Sequence, residues 1–438
     1  MKRRAADLLV RIVRSRAMRP LLDVIRETFR GYYVEDVLRS FTAKTAPLSL
    51  HVDPGAPRRI DILIPEINFG NFFGGYMAKF NLARRLAGRG AKVRLVIVDR
   101  CDVRIDAWRS LAKRYEGLED FFDHVEVAYC FDRARRLTVS PGDVIVATTW
   151  WTAHIAAEAV RVLGRARFLY LVQEYEPFTF PMGTYYALAR RSYDFAHHAL
   201  FSSALLEEYF REQEIGVFGA SGGHARVFEN AILRFDVDPT AMSRRRPRKV
   251  LFYARPEPHA ARNMFELGFT ALQRAIAQGA FEPGQWEFHG IGSDRAGIAL
   301  ADGVTLQMIG KLGLDEYRRT LPQYDVGLAL MYTPHPSLVP LEMAAAGMTV
   351  VTSTCLNKTG AKMAGLSSNI LAAEPSVARV ADALAEGARR AGDTDQRMRG
   401  AQVRWSSDWG QTFPDPLLDE MLSWFDVPGA ATRADAAN

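Results

Sequence analysis

Cysteine is scarce: Cys101, Cys130 and Cys355 are the only three in 438 residues. Three widely spaced thiols exclude a disulfide framework and a thiolate zinc site, and fit a reducing compartment. No apolar run approaches about eighteen residues, so no membrane-spanning helix is expected. Neither the G-x-G-x-x-G dinucleotide fingerprint nor a P-loop occurs, which removes the commonest phosphate-binding signatures. No D-x-D lies in a suitable strand-end loop, so no metal is expected. Acidic charge is short at one end. Residues 1–30 hold nine Lys or Arg against three Asp or Glu, a surplus of +6 that equals the net charge of the whole chain. The remainder is balanced, which argues against nucleic acid as a partner.

That basic segment, "MKRRAADLLVRIVRSRAMRP", has Ala5, Leu8, Leu9, Ile12 and Val13 at helical spacing. It reads either as an amphipathic helix lying on an anionic membrane surface or as an extra helix docked on the first domain. Arginines interrupt its apolar stretches, and a secretory signal is not expected.

At this length two domains are the default, and the pattern of segments agrees. "RIDILIP" (59–65), "KVRLVIVD" (92–99), "DVIVATT" (143–149), "RFLYLVQ" (167–173) and "HALFSS" (198–203) read as strands, with helical segments between them. A polar stretch, "DPTAMSRRRPRK" (238–249), reads as a linker. A second alternation follows, with strands at 249–254, 285–292, 303–310 and 325–330 and helices near 263–279 and 315–321. Strands apolar throughout, alternating with helices, imply parallel sheets covered on both faces. The expected architecture is therefore α/β: two tandem Rossmann-like, doubly wound domains facing a central cleft, behind an N-terminal helical extension. The boundaries are placed at 1–55, 56–240, 241–405 and 406–438, the last holding a crossover helix and a disordered tail.

Ligands of such sheets bind beyond the carboxyl ends of the strands, so the loops after the strands are where function is sought. Asn71, Gly74 and Gly75 open a helix after the first strand, either as a tight turn or as an approach for a ligand. In "FYARPEPHAARNMFELG" (252–268), Arg255 and Arg262 follow the first strand of the second domain, and two cations there suit a diphosphate. Lys311 in "IGKLGLDEY" (309–317) is a third cation, or a solvated loop residue. Thr148, Thr149, Trp150 and Trp151 in "VATTWWTAH" precede His154; the tryptophans would stack on an acceptor sugar or sit in the core. Glu174 and Glu176 in "QEYEPF" follow another strand and are candidates for a general base, with His154 behind them.

The most specific stretch is "TPHPSLVPLEMAAAGMTVVTS" (333–353). Glu342 stands alone as a charge in what reads as the first turn of an apolar helix. Pro336-Ser337, then Pro340-x-Glu342-x-Ala344-Ala345-x-Gly347 and a Val-Val strand, resembles the donor-binding segment of GT-B glycosyltransferases. In that family the glutamate accepts hydrogen bonds from the hydroxyls of the nucleotide's ribose. The loop before it, here Ser337, Leu338 and Val339, binds the sugar and phosphates. "VQEYEPFTFPMGTYYALARRSYDFAHHALFSSALL" and "FYARPEPHAARNMFELGFTAL" resemble, more narrowly, rhamnosyltransferases of the WsaF type. The resemblance covers roughly residues 55 to 410. It implies transfer of L-rhamnose from dTDP-L-rhamnose to a growing surface polysaccharide, a glycan or lipid-linked acceptor, and a cytoplasmic or peripheral-membrane location. Gly74, Gly75, Trp150 and Trp151 would face the acceptor. No cofactor is implied beyond the nucleotide-sugar substrate. A nucleotide-sugar epimerase or a non-catalytic sugar-binding subunit would share the fold. One departure stands out: retaining members commonly carry a glutamate eight residues before the second, and here that position is Pro334.

Overall fold

The computed structural model describes residues 34–69, 74–219, 221–294 and 296–427. The basic segment 1–30, Asn71 and the tail 428–438 lie outside the described residues.

Strands form where β-branched and other apolar residues predominate, and the central ones are buried on both faces. In the first half these are β1 (Leu50–Val52), β2 (Ile60–Ile64), β3 (Val93–Ile97), β4 (Val125–Tyr129), β5 (Leu137–Val139), β6 (Val144–Ala147), β7 (Phe168–Val172), β8 (His197–Phe201) and β9 (Ala225–Val227). Seven of them make one parallel sheet in the order β4-β3-β2-β6-β7-β8-β9, and every residue of β2, β3, β6, β7 and β8 is buried. Helix α1 (Gly74–Gly88) covers one face and α2 (Trp150–Val162) the other.

The second half repeats the plan with β10 (Arg248–Tyr253), β11 (Trp286–Ile291), β12 (Ile298–Ala301), β13 (Val304–Met308), β14 (Val326–Leu328), β15 (Thr349–Ser353) and β16 (Ile370–Ala373). Their order is β12-β13-β11-β10-β14-β15-β16, parallel except where β12 runs against β13. Helix α3 (Phe265–Ala277) and the helix Val377–Arg390 pack on one face, and α5 (Leu338–Ala345), which follows the short helix α4 (Leu314–Thr320), on the other. Two doubly wound α/β units in tandem are thus the architecture of this protein.

Several local expectations shift. The helix expected near 263–279 is broken. A 3-10 turn spans Pro258–Asn263, Met264 takes a left-handed conformation with φ 47, and only then does α3 begin. The polar 238–249 stretch is not featureless, because the Asp238 side chain accepts the Thr240 N–H and caps a short helix over Pro239–Arg244. The segment before residue 55 is helical over 34–45 and then supplies β1, paired in parallel with β5.

The chain passes between the sheets twice, side by side. Trp405 Nε1 donates to the Asn230 carbonyl at 2.7 Å, and Ile232 N–H to the Ser406 carbonyl at 3.0 Å. The last helix, α6 (Asp415–Ser423), then lies back on the first unit. Leu418, Met421 and Leu422 join the core beside α1, while Asp415 pairs with Arg85 at 2.8 Å and Glu420 with Arg226.

One buried ion pair fixes the first sheet. Asp61 on β2 stands directly opposite Arg94 on β3, and the two form a bidentate bridge of 2.7 and 2.9 Å. Asp61 is fully buried and Arg94 nearly so, so neither charge has water to fall back on. Asp61→Ala therefore leaves a guanidinium buried with Asp143, 4.0 Å away, and the weaker influence of Glu126 in place of its bidentate partner. A loss of about 3–5 kcal/mol is expected, read by urea denaturation of the two proteins side by side.

Candidate functional site

In the first sheet the connections turn from one direction to the other between β2 and β6; in the second they turn between β10 and β14. Crevices open at those switch points, beyond the carboxyl ends of the strands. The two crevices face each other. A Cβ placed on Gly74, at the start of α1, would lie 3.1 Å from Leu338 Cδ1 at the start of α5. Glu208 of the first unit also holds Asn357 Nδ2 at 3.1 Å and Lys362 Nζ at 2.5 Å from the second.

The wall of the second unit is the loop between β14 and α5. It ends on Ser337, whose φ of 66 is unusual for a residue with a side chain. Ser337 N–H donates to His335 Nδ1 at 3.0 Å, which places the ring proton of a neutral imidazole on Nε2. Burial, and then Lys358 nearby, push the His335 pKa down to about 4, so the ring is neutral. That ring lies beside the backbone of Ser202 in the first unit. Beneath the loop, the fully buried Lys358 donates to the Met331 carbonyl at 2.6 Å and approaches that of His335 at 3.5 Å. Burial lowers its pKa to about 8, against the attraction of Cys355 and Glu174. Leu338 and Val339 begin α5, where backbone N–H groups have no partner within the helix.

Glu342 is not in the first turn. It is the fifth residue of α5, and its carboxylate is held by side contacts rather than by the helix dipole. The Tyr317 hydroxyl donates to Oε2 at 3.0 Å and Leu233 N–H to Oε1 at 3.4 Å. Burial outweighs both and raises the carboxyl to about 7.

The three cations differ. Arg255 is built in: Glu257 takes its Nε at 3.0 Å, the Tyr253 hydroxyl its Nη1 at 3.1 Å, and His259 Nε2 lies 3.1 Å from Nη2. The side chain crosses Gly292, where a Cβ would meet Arg255 Cδ at 2.7 Å and φ is 105, so only glycine fits. Desolvation works against ionised Glu257, but hydrogen bonds from Ser293 and Arg255 prevail and bring its pKa to about 2. Arg255 thus arrives with its own counter-ion. Arg262 donates to the His259 carbonyl at 3.4 Å, and its charge acts on His335 in its own unit and on Glu174 across the crevice. Lys311 is exposed; its backbone N–H is tied to Asp294 Oδ1 at 3.0 Å.

From the first unit, Glu174 reaches across. Its carboxylate accepts the Tyr175 N–H at 3.0 Å and a hydrogen bond from the Thr333 side chain of the opposite unit. Desolvation raises its pKa, while Arg262 and then Lys358 resist the rise. Glu176 points the other way. Burial pushes it up to about 7, and it accepts from the Trp150 N–H and the Tyr170 hydroxyl with Lys79 as its cation. It is an interior group rather than a candidate base. His154 is likewise turned from the crevice, with Nε2 3.0 Å from the Leu188 carbonyl. Trp150 is 1% exposed among Trp151, His154, Phe180 and Tyr185, so it is core and cannot stack on a sugar. Trp151 lies under Lys44, whose ammonium is 4.0 Å from the ring centre. Gly75 donates nothing to the crevice through a side chain, but its carbonyl accepts Gln173 Nε2 at 3.1 Å.

The structure therefore brings Glu174 and Arg262 together, places Ser337 beside His335 and Leu338 opposite Gly74, sets Arg255 and Glu342 in the second unit, and turns Glu176, His154, Trp150 and Trp151 into the first. Thr333, His335, Tyr317 and Lys358 join the site without having been singled out in the sequence. The first two lie in or beside the motif that was recognised. Tyr317 and Lys358 carry no local signal; only their burial beside carboxylates reveals them. Among the described residues no group of three or more His, Cys, Asp or Glu is arranged to hold a metal ion.

Comparison with known proteins now bears on this geometry. Residues 59–203 match the WsaF N-terminal domain model and residues 248–385 the WsaF C-terminal domain model. The chain is 30% identical over 391 residues to the O-antigen biosynthesis protein RfbC of Myxococcus xanthus, covering 84% of this chain but only 27% of that protein. Among solved structures it resembles Anabaena Alr3699/HepE in complex with UDP and glucose, at TM-score 0.54 and 15% identity, over 84% of this chain and 100% of the other. It also resembles an S. aureus TarM variant bound to Fondaparinux, alpha-GlcNAc-glycerol and UDP, at TM-score 0.55 and 8% identity, over 84% and 100%. At those identities the likeness is one of fold. The paired domain matches, in order and across both crevice walls, place this chain in the WsaF family, on the two-domain GT-B fold.

Proposed function

We propose that this protein is a glycosyltransferase that moves L-rhamnose from dTDP-L-rhamnose to a hydroxyl of a bacterial surface glycan. Membership of the WsaF family and the relative named for O-antigen biosynthesis support the pathway. The rhamnose and the thymidine rest on the WsaF resemblance. The observation that carries the reading is the position of Glu174. A carboxylate from one unit is held in the loop of the other, between Arg262 and Lys358, one residue from the Pro334 position where retaining relatives carry their own.

In this reading the nucleotide lies on the second unit, with Glu342 accepting from the hydroxyl of its sugar and the start of α5 under the diphosphate. Arg262 and Arg255 meet the charge that grows on the diphosphate as the C1–O bond to phosphate breaks. These cations do the work of a metal ion, and transfer proceeds without one. Glu174 takes the proton of the acceptor hydroxyl as that oxygen bonds to C1, which inverts the anomeric centre. Lys358 holds the Met331 and His335 carbonyls and so positions the loop; Glu176 and Lys79 support the wall beneath Glu174. No helix among the described residues is long and apolar enough to cross a membrane. A cytoplasmic protein meeting a glycan or lipid-linked acceptor, with residues 1–30 against the membrane surface, fits the charge of that segment.

Calorimetric titration with dTDP-L-rhamnose, UDP-glucose and GDP-mannose tests the donor. The dTDP sugar is expected to bind best, and Glu342→Ala to weaken it about tenfold or more. Equal binding of all three would remove the rhamnose reading. Glu174→Gln is expected to bind donor as the parent does but to transfer it about a hundredfold more slowly or worse, read as dTDP release with a rhamnan-type acceptor.

Binding should also follow pH. Hydroxyl donors favour ionised Glu342, whose carboxyl is pushed up to about 7 by burial, so binding releases a proton below that pH. Affinity is expected to rise as pH climbs through about 7 and then level off. With Glu342→Gln that component of the pH profile should vanish, leaving only the titration of the diphosphate itself.

A further inference from the structure

The exposed large apolar side chains of the first unit crowd one end of it, with Val162 at the end of α2 as the exception. Val103 and Ile105 follow β3 and Met182 follows β7, at the carboxyl ends of those strands. Val34, Val37 and Leu38 are exposed on the helix over 34–45. The last turn of that helix is fastened to the same end of the sheet. Lys44 Nζ lies 3.1 Å from Asp99 Oδ2 and 4.0 Å from the centre of the Trp151 ring. Arg133 donates to the Ala46 carbonyl at 3.1 Å and to the Ala43 carbonyl at 3.4 Å. Every residue from 34 to 40, by contrast, is exposed.

Val34, Val37, Leu38 and Phe41 recur at the spacing of one helix face. Phe41 meets Tyr185 with ring centres 6.0 Å apart, and Tyr185 stacks on Phe180 at 5.6 Å. Met182, 82% exposed, lies between those two aromatics in the chain, so the stripe and this loop adjoin. Two turns of helix without packing are marginal in water, and an aliphatic stripe on them gains from a cover. Four aliphatic side chains on an open helix and a loop fall short of the roughly 800 Å² that a stable protein interface takes from each partner. The charges favour a different cover. Glu35 and Asp36 are met by Arg39 on the same helix, at 3.6 and 3.4 Å. Arg190 and Arg191, on the helix Thr184–Arg191 that carries Tyr185, outnumber their shared partner Asp194. Residues 1–30, just before the stripe, hold the surplus of +6. Aliphatic side chains flanked by cations suit an anionic lipid surface.

We propose that Val34, Val37, Leu38 and Met182 insert into an anionic bilayer and fix which end of the first unit faces it. Residues 1–30 supply the attraction at a distance, and the aliphatic side chains supply the burial that orients the protein. The 3-10 turn Glu176–Thr179 connects Glu174 to the loop that carries Met182. Docking by that loop therefore brings the mouth of the crevice to the lipid surface, where a lipid-linked acceptor meets Glu174 without leaving the membrane. The benefit to such an acceptor rests on the function proposed above; the membrane contact does not.

Flotation of the full chain with vesicles of phosphatidylcholine and phosphatidylglycerol tests the surface. The parent protein is expected to float with them. Leu38→Glu and Met182→Glu are each expected to weaken the partition about tenfold, with an unchanged melting temperature because both side chains are exposed. A parent protein that stays at the bottom of the gradient overturns the inference. So do variants that float as the parent does, which would leave the attraction to residues 1–30 alone. A dimer seen by light scattering and broken by Leu38→Glu also overturns it, since the stripe would then be covered by a second copy of the chain. Titration of the same proteins with dTDP-L-rhamnose keeps the two readings apart. If the parent floats, the variants do not, and none of them binds the donor, the function proposed above falls and the membrane surface stands.

Discussion

A parallel sheet must bury both of its faces, because its crossover connections lay helices on each side. That constraint leaves the strand ends as the place where polar side chains can converge. Here it operates twice, and the two sets of carboxyl ends oppose each other. Gly74 against Leu338 and Glu208 against Asn357 and Lys362 mark where they meet. Nearly everything chemically pointed in the molecule lies along that seam. Away from it, Asp61 with Arg94, and Asp325 with Arg397 and Arg245, are buried ionic groups that hold strands and helices together.

Within the seam the charges are unevenly committed. Arg255 carries Glu257 with it, so a diphosphate would meet a guanidinium already oriented but partly neutralised. Among the described residues Arg262 forms no ion pair with a carboxylate of its own unit; the carboxylate its charge acts on is Glu174 on the other. Glu174 consequently belongs to both walls at once, and its environment depends on the units being together. Lys358 makes the arrangement rigid from below by binding two carbonyls of the loop that ends on the left-handed Ser337.

The alternation of strands and helices and the Ser337–Glu342 stretch were legible from residue types alone. Uninterrupted apolar strands and their spacing are local properties, and the motif around Glu342 is contiguous. Side-chain direction was not legible. Glu174 and Glu176 are two residues apart after the same strand, yet one faces Thr333 across the crevice and the other Lys79 within its own unit. Trp150 and Trp151 follow a strand end as acceptor-binding aromatics would, but the helix they open turns the first into the core and puts Lys44 over the second. Glu342 sits a turn deeper in its helix than the run of residues suggested.

What the sequence by itself determined is the class of fold, the two-unit plan and the family, because these follow from burial patterns and from one unbroken motif. What only the tertiary structure decided is which carboxylate enters the crevice, which cations are free to act there, and what already touches Glu342. Tyr317 and Leu233 reach that glutamate from 25 and 109 positions away along the chain. Such contacts have no local signature, since they arise where separate elements pack and share one desolvated space.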